Sequence, residues 1–117
     1  MRYGNGPKPK RQPRASIESY RVPVVSDVDP TGMVVGFAAV VDGTVPTVST
    51  SFTAGSWDTA AGWVNGVAYA YTPLIGPVGG AGVALELAVD VDHDLWWRIV
   101  TADGAVPVRK FDQIRLV

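Results

Sequence analysis

The chain has 117 residues and a net charge of −1, a size that suits one domain with a core of its own. The absence of cysteine excludes disulfides, thiolate metal sites and cysteine nucleophiles. Thirteen glycines and nine prolines disfavour long helices, since each glycine costs about 1 kcal/mol and each proline about 3 kcal/mol inside a helix. With no apolar run near the roughly 20 residues that span a membrane and no signal-peptide pattern, we expect a soluble protein made in a reducing cytoplasm.

Residues 1–15 form an extended basic arm. The arm is rich in glycine and proline, and it carries five positive charges and no acid, whereas residues 16–117 hold five basic and eleven acidic side chains, a balance of −6. Such a segment has little apolar surface to bury, so we expect it to become ordered on another subunit or another protein. Nucleic acid is an alternative partner, because the charges can neutralise phosphates, although only Tyr3 could stack on bases.

Residues 16–117 form the second segment, which begins with alternating strand patterns. The stretch 17–25 indicates a first strand, and Pro23 places it at a sheet edge because proline cannot donate to a ladder. A turn around Pro30 leads to a buried strand at 33–41. Asp42-Gly43 then gives a hairpin signal between apolar runs.

The remainder of the chain also predicts strands. Residues 55–63 could form one helical turn, a strand follows at 63–71 with a tight turn or bulge at Asn65-Gly66, and 72–82 is a loop. Further strands are predicted at 83–91, where Leu85 and Leu87 share a face, at 95–101 and at 108–117. We therefore expect an all-β domain: an antiparallel immunoglobulin-like sandwich or small barrel of seven to eight strands.

The stretch "DVDHD" at 90–94 is the main candidate for chemistry. Three aspartates at alternate positions could begin a calcium loop, but the glycine and glutamate of an EF-hand are absent at the required positions, and both flanks indicate strands. His93, the only histidine, has no second histidine for zinc and no serine nucleophile motif. We therefore expect an acidic surface turn that receives a basic arm, with no catalytic residue, metal or other cofactor.

Four tryptophans are many for this length. Trp96 and Trp97 are adjacent, so in a strand they face opposite sides, one toward the core and one toward a cover or a partner. The residues that we expect at an interface are Arg2, Tyr3, Lys8, Lys10, Arg11, Arg14, Trp57, Asp90, Asp92, Asp94 and Trp97.

Five stretches of the sequence together carry a resemblance to a known family of proteins. In chain order they are "IESYRVPVVS", "TGMVVGFAAV", "WDTA…GW", "GPVGG" and "LWWRIVTADGAVPVRKFDQIRLV". Most of residues 16–117 resembles small immunoglobulin-like β-sandwich virion structural proteins of tailed actinobacteriophages. In these proteins an aromatic strand, here Trp96, Arg98 and Ile99, precedes a turn and a Pro-Val-Arg segment, here 107–109. "DVDHD" and the basic arm depart from that pattern.

The resemblance implies a non-enzymatic virion protein at the head-to-tail junction, of the connector, stopper or head-completion type. Its partners would be further copies in a ring and other virion proteins, such as the portal or its adaptor, the tail or the capsid protein, with DNA contact possible through the arm. Alternatives are a capsid decoration protein and a carbohydrate-binding or adhesion module that uses exposed tryptophans. A small enzyme is the least supported class.

Overall fold

The computed structural model describes residues 9–101 and 103–117, and this part of the chain is all-β. The described ranges contain no helix, and therefore none long and apolar enough to cross a membrane. The ten strands are β1 (Lys10–Gln12), β2 (Arg21–Val25), β3 (Val35–Val41), β4 (Thr53–Ala54), β5 (Ser56–Trp57), β6 (Val67–Tyr71), β7 (Ile75–Pro77), β8 (Leu85–Leu87), β9 (Asp92–Ile99) and β10 (Val108–Leu116).

The strands form three sheets. Five strands pair in the order β1-β10-β9-β3-β4, three in the order β2-β6-β5, and two as β7-β8. The pairs β1–β10 and β7–β8 are parallel, so the sheets are mixed where the sequence predicts antiparallel pairing throughout. Five of the strands have only two or three residues, and three of them, β1, β5 and β7, lie in segments predicted as arm, helical turn and loop. They are too short to display the alternation from which a strand is predicted.

One core is shared by all three sheets. The five-stranded sheet contributes the side chains at alternate positions of β3, β9 and β10, and the smaller sheets cover them from the other side. The buried members are Val22, Val24, Val35, Phe37, Ala70, Ile75, Leu85, Leu87, Leu95, Trp97, Ile99, Ile114 and Leu116. The predicted sharing of one face by Leu85 and Leu87 is confirmed, since both are buried and Glu86 between them is exposed.

Local turn signals were partly correct. Asn65 and Gly66 have φ values of 53° and 79°, and the flanking Val64 and Val67 exchange both backbone hydrogen bonds, which confirms the tight turn. The predicted hairpin at Asp42-Gly43 is wrong. The Asp42 N–H donates to the Asp92 carbonyl, and β4 pairs at the opposite end of β3, so the chain turns but returns through a long loop.

Gly55 is where the chain passes from one sheet to another. The strand before it, β4, belongs to the five-stranded sheet, and the strand after it, β5, belongs to the three-stranded sheet. A methyl group placed on Gly55 would overlap the Phe37 ring and the carbonyl oxygen of Tyr71. The crossing is therefore possible in so little space only because this residue has no side chain.

Gln12 anchors the arm to the domain. Its side chain is fully buried, and its amide nitrogen donates to the carbonyls of Ser16 and Ile75, each at 2.9 Å. Its amide oxygen accepts the Tyr20 hydroxyl at 2.6 Å. Since β1 also pairs with β10, residues 10–12 are part of the sheet, although the sequence pattern assigns them to the arm.

Tyr20 is the third hydrogen-bond partner of the Gln12 side chain. The Lys10 ammonium lies 4.9 Å from the centre of the Tyr20 ring, a cation–π distance. Burial, helped by the negative charges of Glu18 and Asp112, raises the pKa of Tyr20 to about 12. The hydroxyl therefore stays protonated and can donate to Gln12 over the whole physiological pH range.

We expect Gln12→Leu to destabilise the fold by about 2–4 kcal/mol, because it removes the buried amide that bonds the carbonyls of Ser16 and Ile75 and the hydroxyl of Tyr20. The exposed neighbour gives a matched control, Arg11→Leu, which should change stability by less than about 0.5 kcal/mol. Urea unfolding of both variants provides the measurement. Equal stabilities of the two variants would contradict the anchoring role.

Gly55→Ala should destabilise the fold by about 3 kcal/mol, because the methyl group forces the Phe37 ring or the Tyr71 backbone to move. Gly32→Ala is the control, since a methyl group at that position meets nothing within 4 Å. Thermal unfolding of the two variants should show a lower midpoint for Gly55→Ala alone. An unchanged midpoint for Gly55→Ala would mean that the Phe37 ring and the Tyr71 backbone can move aside without loss of stability.

Candidate interaction site

The three aspartates of "DVDHD" lie in two kinds of structure. Asp90 occupies the turn before β9 with a φ of 63°, whereas Asp92 and Asp94 are the first and third residues of β9. The predicted acidic turn is thus correct only for Asp90. The strand extends further because β10 and β3 pair with it on both sides as far as Asp92 and His93 respectively.

Each of these carboxylates meets a cation of the same chain. Asp90 lies 3.3 Å from the guanidinium of Arg14, and Asp92 lies 3.4 Å from that of Arg115. The Lys110 ammonium is 3.2 Å from Asp94. The charge of this strand is therefore largely neutralised within the subunit, and Arg14 of the arm binds the acidic turn of its own chain.

Asp94 is the buried member of this row. It accepts hydrogen bonds from the Gln113 amide at 3.0 Å and from the Gly43 N–H at 3.3 Å. Burial raises the pKa of Asp94, but the hydrogen bonds from Gln113, Lys110 and Gly43 outweigh it, so the pKa lies below its usual value. The same Gln113 amide also donates to Asp42 at 2.9 Å, which ties the turn after β3 to β10.

Within residues 9–101 and 103–117, no three His, Cys, Asp or Glu side chains gather in a way that could hold a metal ion. His93 lies in β9 with only 5% of its surface exposed, and its Nδ1 is 3.0 Å from the Val91 carbonyl oxygen. The expectation that the whole stretch 90–94, with His93, is an acidic surface turn is therefore wrong. It rested on reading the aspartates as a loop, whereas the strand places every second side chain toward the interior.

Trp96 and Trp97 face opposite sides of β9, as alternation in a strand requires. However, Trp97, which we expect at an interface, is the one that faces the core. Trp97 is 6% exposed and belongs to the core, which leaves it little surface for a partner. Trp96 lies on the other face, half-buried, with a buried Nε1 that has no hydrogen-bond partner among the described residues. Trp57 is half-buried and donates to the Met33 carbonyl, and Trp63 donates to Ser26.

The basic arm is only partly described. Lys10 lies 3.8 Å from Asp112, and Arg11, which is exposed, lines a small cleft with Pro9, Asp92 and Arg115. The expected interface residues Arg2, Tyr3 and Lys8 lie outside the described residues.

Sequence reasoning missed an exposed aromatic surface on the outer side of β2 and β6. The inward residues of these strands are the buried Val22, Val24, Ala68 and Ala70. The outward ones pair in register across the two strands. We call them the tyrosine face: Arg21, Pro23, Val25, Val67, Tyr69 and Tyr71.

The geometry of the tyrosine face is fixed by Arg21. Its guanidinium lies 3.7 Å from the centre of the Tyr69 ring and 3.1 Å from the Asp58 carboxylate. Tyr71 is 39% exposed and Val25 is 70% exposed. Tyrosine and arginine are the residue types that most often anchor protein interfaces. The signal was present in "VAYAY", where small residues alternate with large ones, because the alanines face the core.

Comparison with models of known protein families, with curated proteins and with solved structures finds no match.

We expect Asp94→Asn to lower stability at neutral pH by about 1–3 kcal/mol, because it weakens the hydrogen bonds to the buried carboxylate. The stabilisation by a carboxylate with a lowered pKa is present above the unfolded pKa near 3.9 and is lost as the pH falls through the folded value. The difference from wild type should thus shrink below about pH 4. Denaturant unfolding at pH 7 and pH 3 measures it, and Asp92→Asn, with its more exposed ion pair, should cost under about 1 kcal/mol.

Proposed function

We propose that this chain is a non-enzymatic structural protein of a tailed-bacteriophage virion, at the head-to-tail junction as a connector, stopper or head-completion protein. It would be made in the host cytoplasm and assemble as a ring through contacts of its β-domain and its N-terminal arm. The resemblance of residues 16–117 supports the class, and the tyrosine face supports an assembly role. The face is the single observation that carries the proposal.

The finer fold that we propose is an immunoglobulin-like sandwich. Its support is that the side chains of β3, β9 and β10 on one side of the core meet those of β2 and β6 on the other. The parallel pairing of β1 with β10 and the separate β7–β8 pair would be additions to this arrangement.

An assembly surface explains why large side chains point outward on β6. The exposed Tyr71 and Val25 and the half-buried Tyr69 and Val67 leave apolar area in contact with water, and burying that area against a partner is favourable by about 25 cal/mol per Å². The Arg21–Asp58 pair and the stacked Tyr69 hold the surface in one conformation, which lowers the entropy lost when a partner binds. The partners that we propose are a further copy and a neighbouring virion protein.

A carbohydrate is the second candidate ligand of the tyrosine face, because exposed aromatic rings on a flat sheet can also stack on sugars. Tyr71, at 39% exposure, is the specific observation in favour. An adhesion module would bind glycans as an isolated domain, whereas an assembly module would not. A glycan array therefore separates the two, and binding lost in Tyr71→Ala would replace the assembly proposal.

The first test of the proposed function is mass spectrometry of virions of the phage that carries this gene, purified by density-gradient centrifugation. We expect the chain in the particles at far fewer copies than the major capsid protein. A copy number similar to the capsid protein would indicate a decoration protein instead. Absence from purified particles would contradict the virion role altogether.

We expect Tyr71→Asp to prevent incorporation into particles, because it places a charge at the exposed Tyr71 end of the tyrosine face without touching the core. Val48→Asp is the control, since Val48 is fully exposed on the loop between β3 and β4 and should leave incorporation unchanged. Circular dichroism and the thermal midpoint of each variant establish that both fold. Normal incorporation of folded Tyr71→Asp would remove the assembly role of this face.

A further inference from the structure

The outer side of the five-stranded sheet carries a second exposed apolar surface. The side chains between the core residues of β3, β9 and β10 point to this side, where Gly36 lies opposite Arg98. Val34 and Val100 are the next residues in that register, at 66% and 47% exposure. We call this surface the valine face: Val34, Phe52, Trp96, Arg98, Val100 and Val108.

Arg98 lies between the aromatic and the aliphatic side chains of the valine face. Its guanidinium carbon is 4.5 Å from the centre of the Phe52 ring, a cation–π distance. Both side chains lie over Gly36, where an added methyl group would be 3.0 Å from the Cβ of Phe52 and 3.8 Å from the Nε of Arg98. The ring therefore holds the guanidinium close to the sheet and presents it to a partner in a fixed position.

Arg98 brings a positive charge to the valine face without a carboxylate from its own chain. Lys110 and Arg115 point to the same side of the sheet, but they form ion pairs with Asp94 and Asp92. No described carboxylate forms such a pair with Arg98. Two valine faces placed against each other would bring two of these charges together, so this face favours a different surface as its partner.

One carboxylate borders the valine face. Asp103 lies in the turn after Val100, and it accepts hydrogen bonds from the Thr101 hydroxyl and the Ala105 N–H. These bonds hold the carboxylate in the turn, so it does not neutralise Arg98 on the face.

The tyrosine face offers the groups that an arginine binds. Tyr20 uses its hydroxyl inside the subunit, whereas the hydroxyls of Tyr69 and Tyr71 form no hydrogen bond with a described residue. A phenol oxygen accepts hydrogen bonds from a guanidinium, and an exposed aromatic ring can stack on it. The guanidinium of the valine face and the phenols of the tyrosine face are therefore complementary.

The charges of the two faces are also opposite. The Arg21–Asp58 ion pair leaves the tyrosine face itself neutral. The exposed Asp27 follows two positions after Val25, the last residue of β2, and it forms no ion pair with a described cation. The tyrosine face with this border is thus negative, whereas Arg98 makes the valine face positive.

The two faces agree in size and lie on opposite sides of the domain. The tyrosine face follows the 5 residues of β2, and the valine face follows residues 96–100, about 13 Å of extended chain in each case. The inward side chains of both sheets share one core, so the faces point in opposite directions. Copies stacked in this way repeat one heterologous contact, which closes into a ring where the rotation between copies allows it.

The strand edges are poorer surfaces for such a contact. On β10, the Gln113 N–H donates to the side chain of Asp112 at 2.8 Å, and the Arg109 guanidinium donates to the Val108 carbonyl at 2.9 Å. On β2, Pro23 has no N–H to offer. Paired or absent backbone groups do not recruit a β-strand, which favours contact through the side-chain faces.

We propose that the valine face of one copy binds the tyrosine face of a second copy, with Arg98 against the ring and the hydroxyl of Tyr71. Tyr71 is exposed, whereas Tyr69 is half-buried under Arg21. This pairing rests on the assembly role proposed above for the tyrosine face, and it names the surface that the tyrosine face binds. It does not depend on the kind of particle that contains the protein.

The test uses cysteines introduced one at a time, because the chain has none of its own. Ser56→Cys places a thiol beside the tyrosine face, since the exposed Ser56 lies opposite Tyr71, and Val100→Cys places one on the valine face. The two variants, one of them isotope-labelled, are mixed at millimolar concentration with a short bismaleimide cross-linker. Mass spectrometry should show mixed dimers well above the ratio to homodimers that random contact gives.

Val48→Cys is the control for random contact, because Val48 is fully exposed and lies on neither face. Mixed with either variant, it should give cross-links only at the random level. An excess of Ser56→Cys homodimers or of Val100→Cys homodimers would overturn the pairing, because each means that a face binds itself. Mixed dimers no more abundant than with Val48→Cys would overturn it as well.

A second pair of variants tests the role of the arginine. Arg98→Gln in the Val100→Cys chain should lower the yield of mixed dimers about 5-fold or more, because glutamine lacks the charge and the stacking of a guanidinium. Arg109→Gln is the matched control, since Arg109 is also exposed but lies opposite Trp97 and points to the other side of β10. Circular dichroism establishes that both variants fold. Equal yields from the two would overturn the proposed contact.

The pairing and the proposed function can fail separately. Homodimers of Ser56→Cys would leave the assembly role of the tyrosine face in place and remove only its pairing with the valine face. Absence of the chain from virions would remove the proposed function without changing the cross-links of the isolated protein.

Discussion

The arrangement of the sheets depends on the close approach of backbone and core at Gly55. The chain leaves the five-stranded sheet and enters the three-stranded sheet across this single residue, against the ring of Phe37. A short crossing fixes the distance between the sheets, because no loop is available to absorb a change. The inward alanines of β6 fit the same narrow space, since larger side chains would separate the layers that the crossing holds together.

Ion pairs within one subunit partly neutralise the opposite charges of the arm and the domain. Lys10 and Arg14 of the arm reach Asp112 and Asp90, and the cations of β10 reach Asp92 and Asp94. Most of these pairs are partly exposed, and each contributes little to stability by itself. Their main effect is to fix which strand lies beside which, while the buried hydrogen bonds of Gln12 hold the arm in place.

Features that depend on neighbouring residues could be predicted from the sequence. The turn at Asn65-Gly66 and the edge position of Pro23 follow from backbone geometry alone, and the buried pair Leu85 and Leu87 follows from alternation. The strand position of Asp92 could not be predicted in this way, because acidic residues in a strand depend on cations supplied by a distant strand.

The candidate site shows the same limit more strongly. Alternation in "VAYAY" identifies two faces but does not say which one is buried, and the usual assumption would place tyrosine inside. The burial of Gln12 depends on carbonyls that come from Ser16 and from Ile75, 63 residues away. A fully buried amide in a basic, proline-rich segment has no local signal, so it becomes visible only when the partners are placed.

The partly blocked outer sides of β2, and of the part of β10 that β1 does not cover, have a consequence for solubility. Exposed strand edges are the usual sites at which β-proteins join into insoluble fibrils during synthesis, when concentrations are high and partners have not arrived. Here Pro23 offers no donor, and the side chains of Asp112 and Arg109 already occupy backbone groups of β10. In the assembly that we propose, contacts between copies would use side-chain surfaces, where geometry can close an assembly at a finite number of subunits instead of allowing unlimited growth.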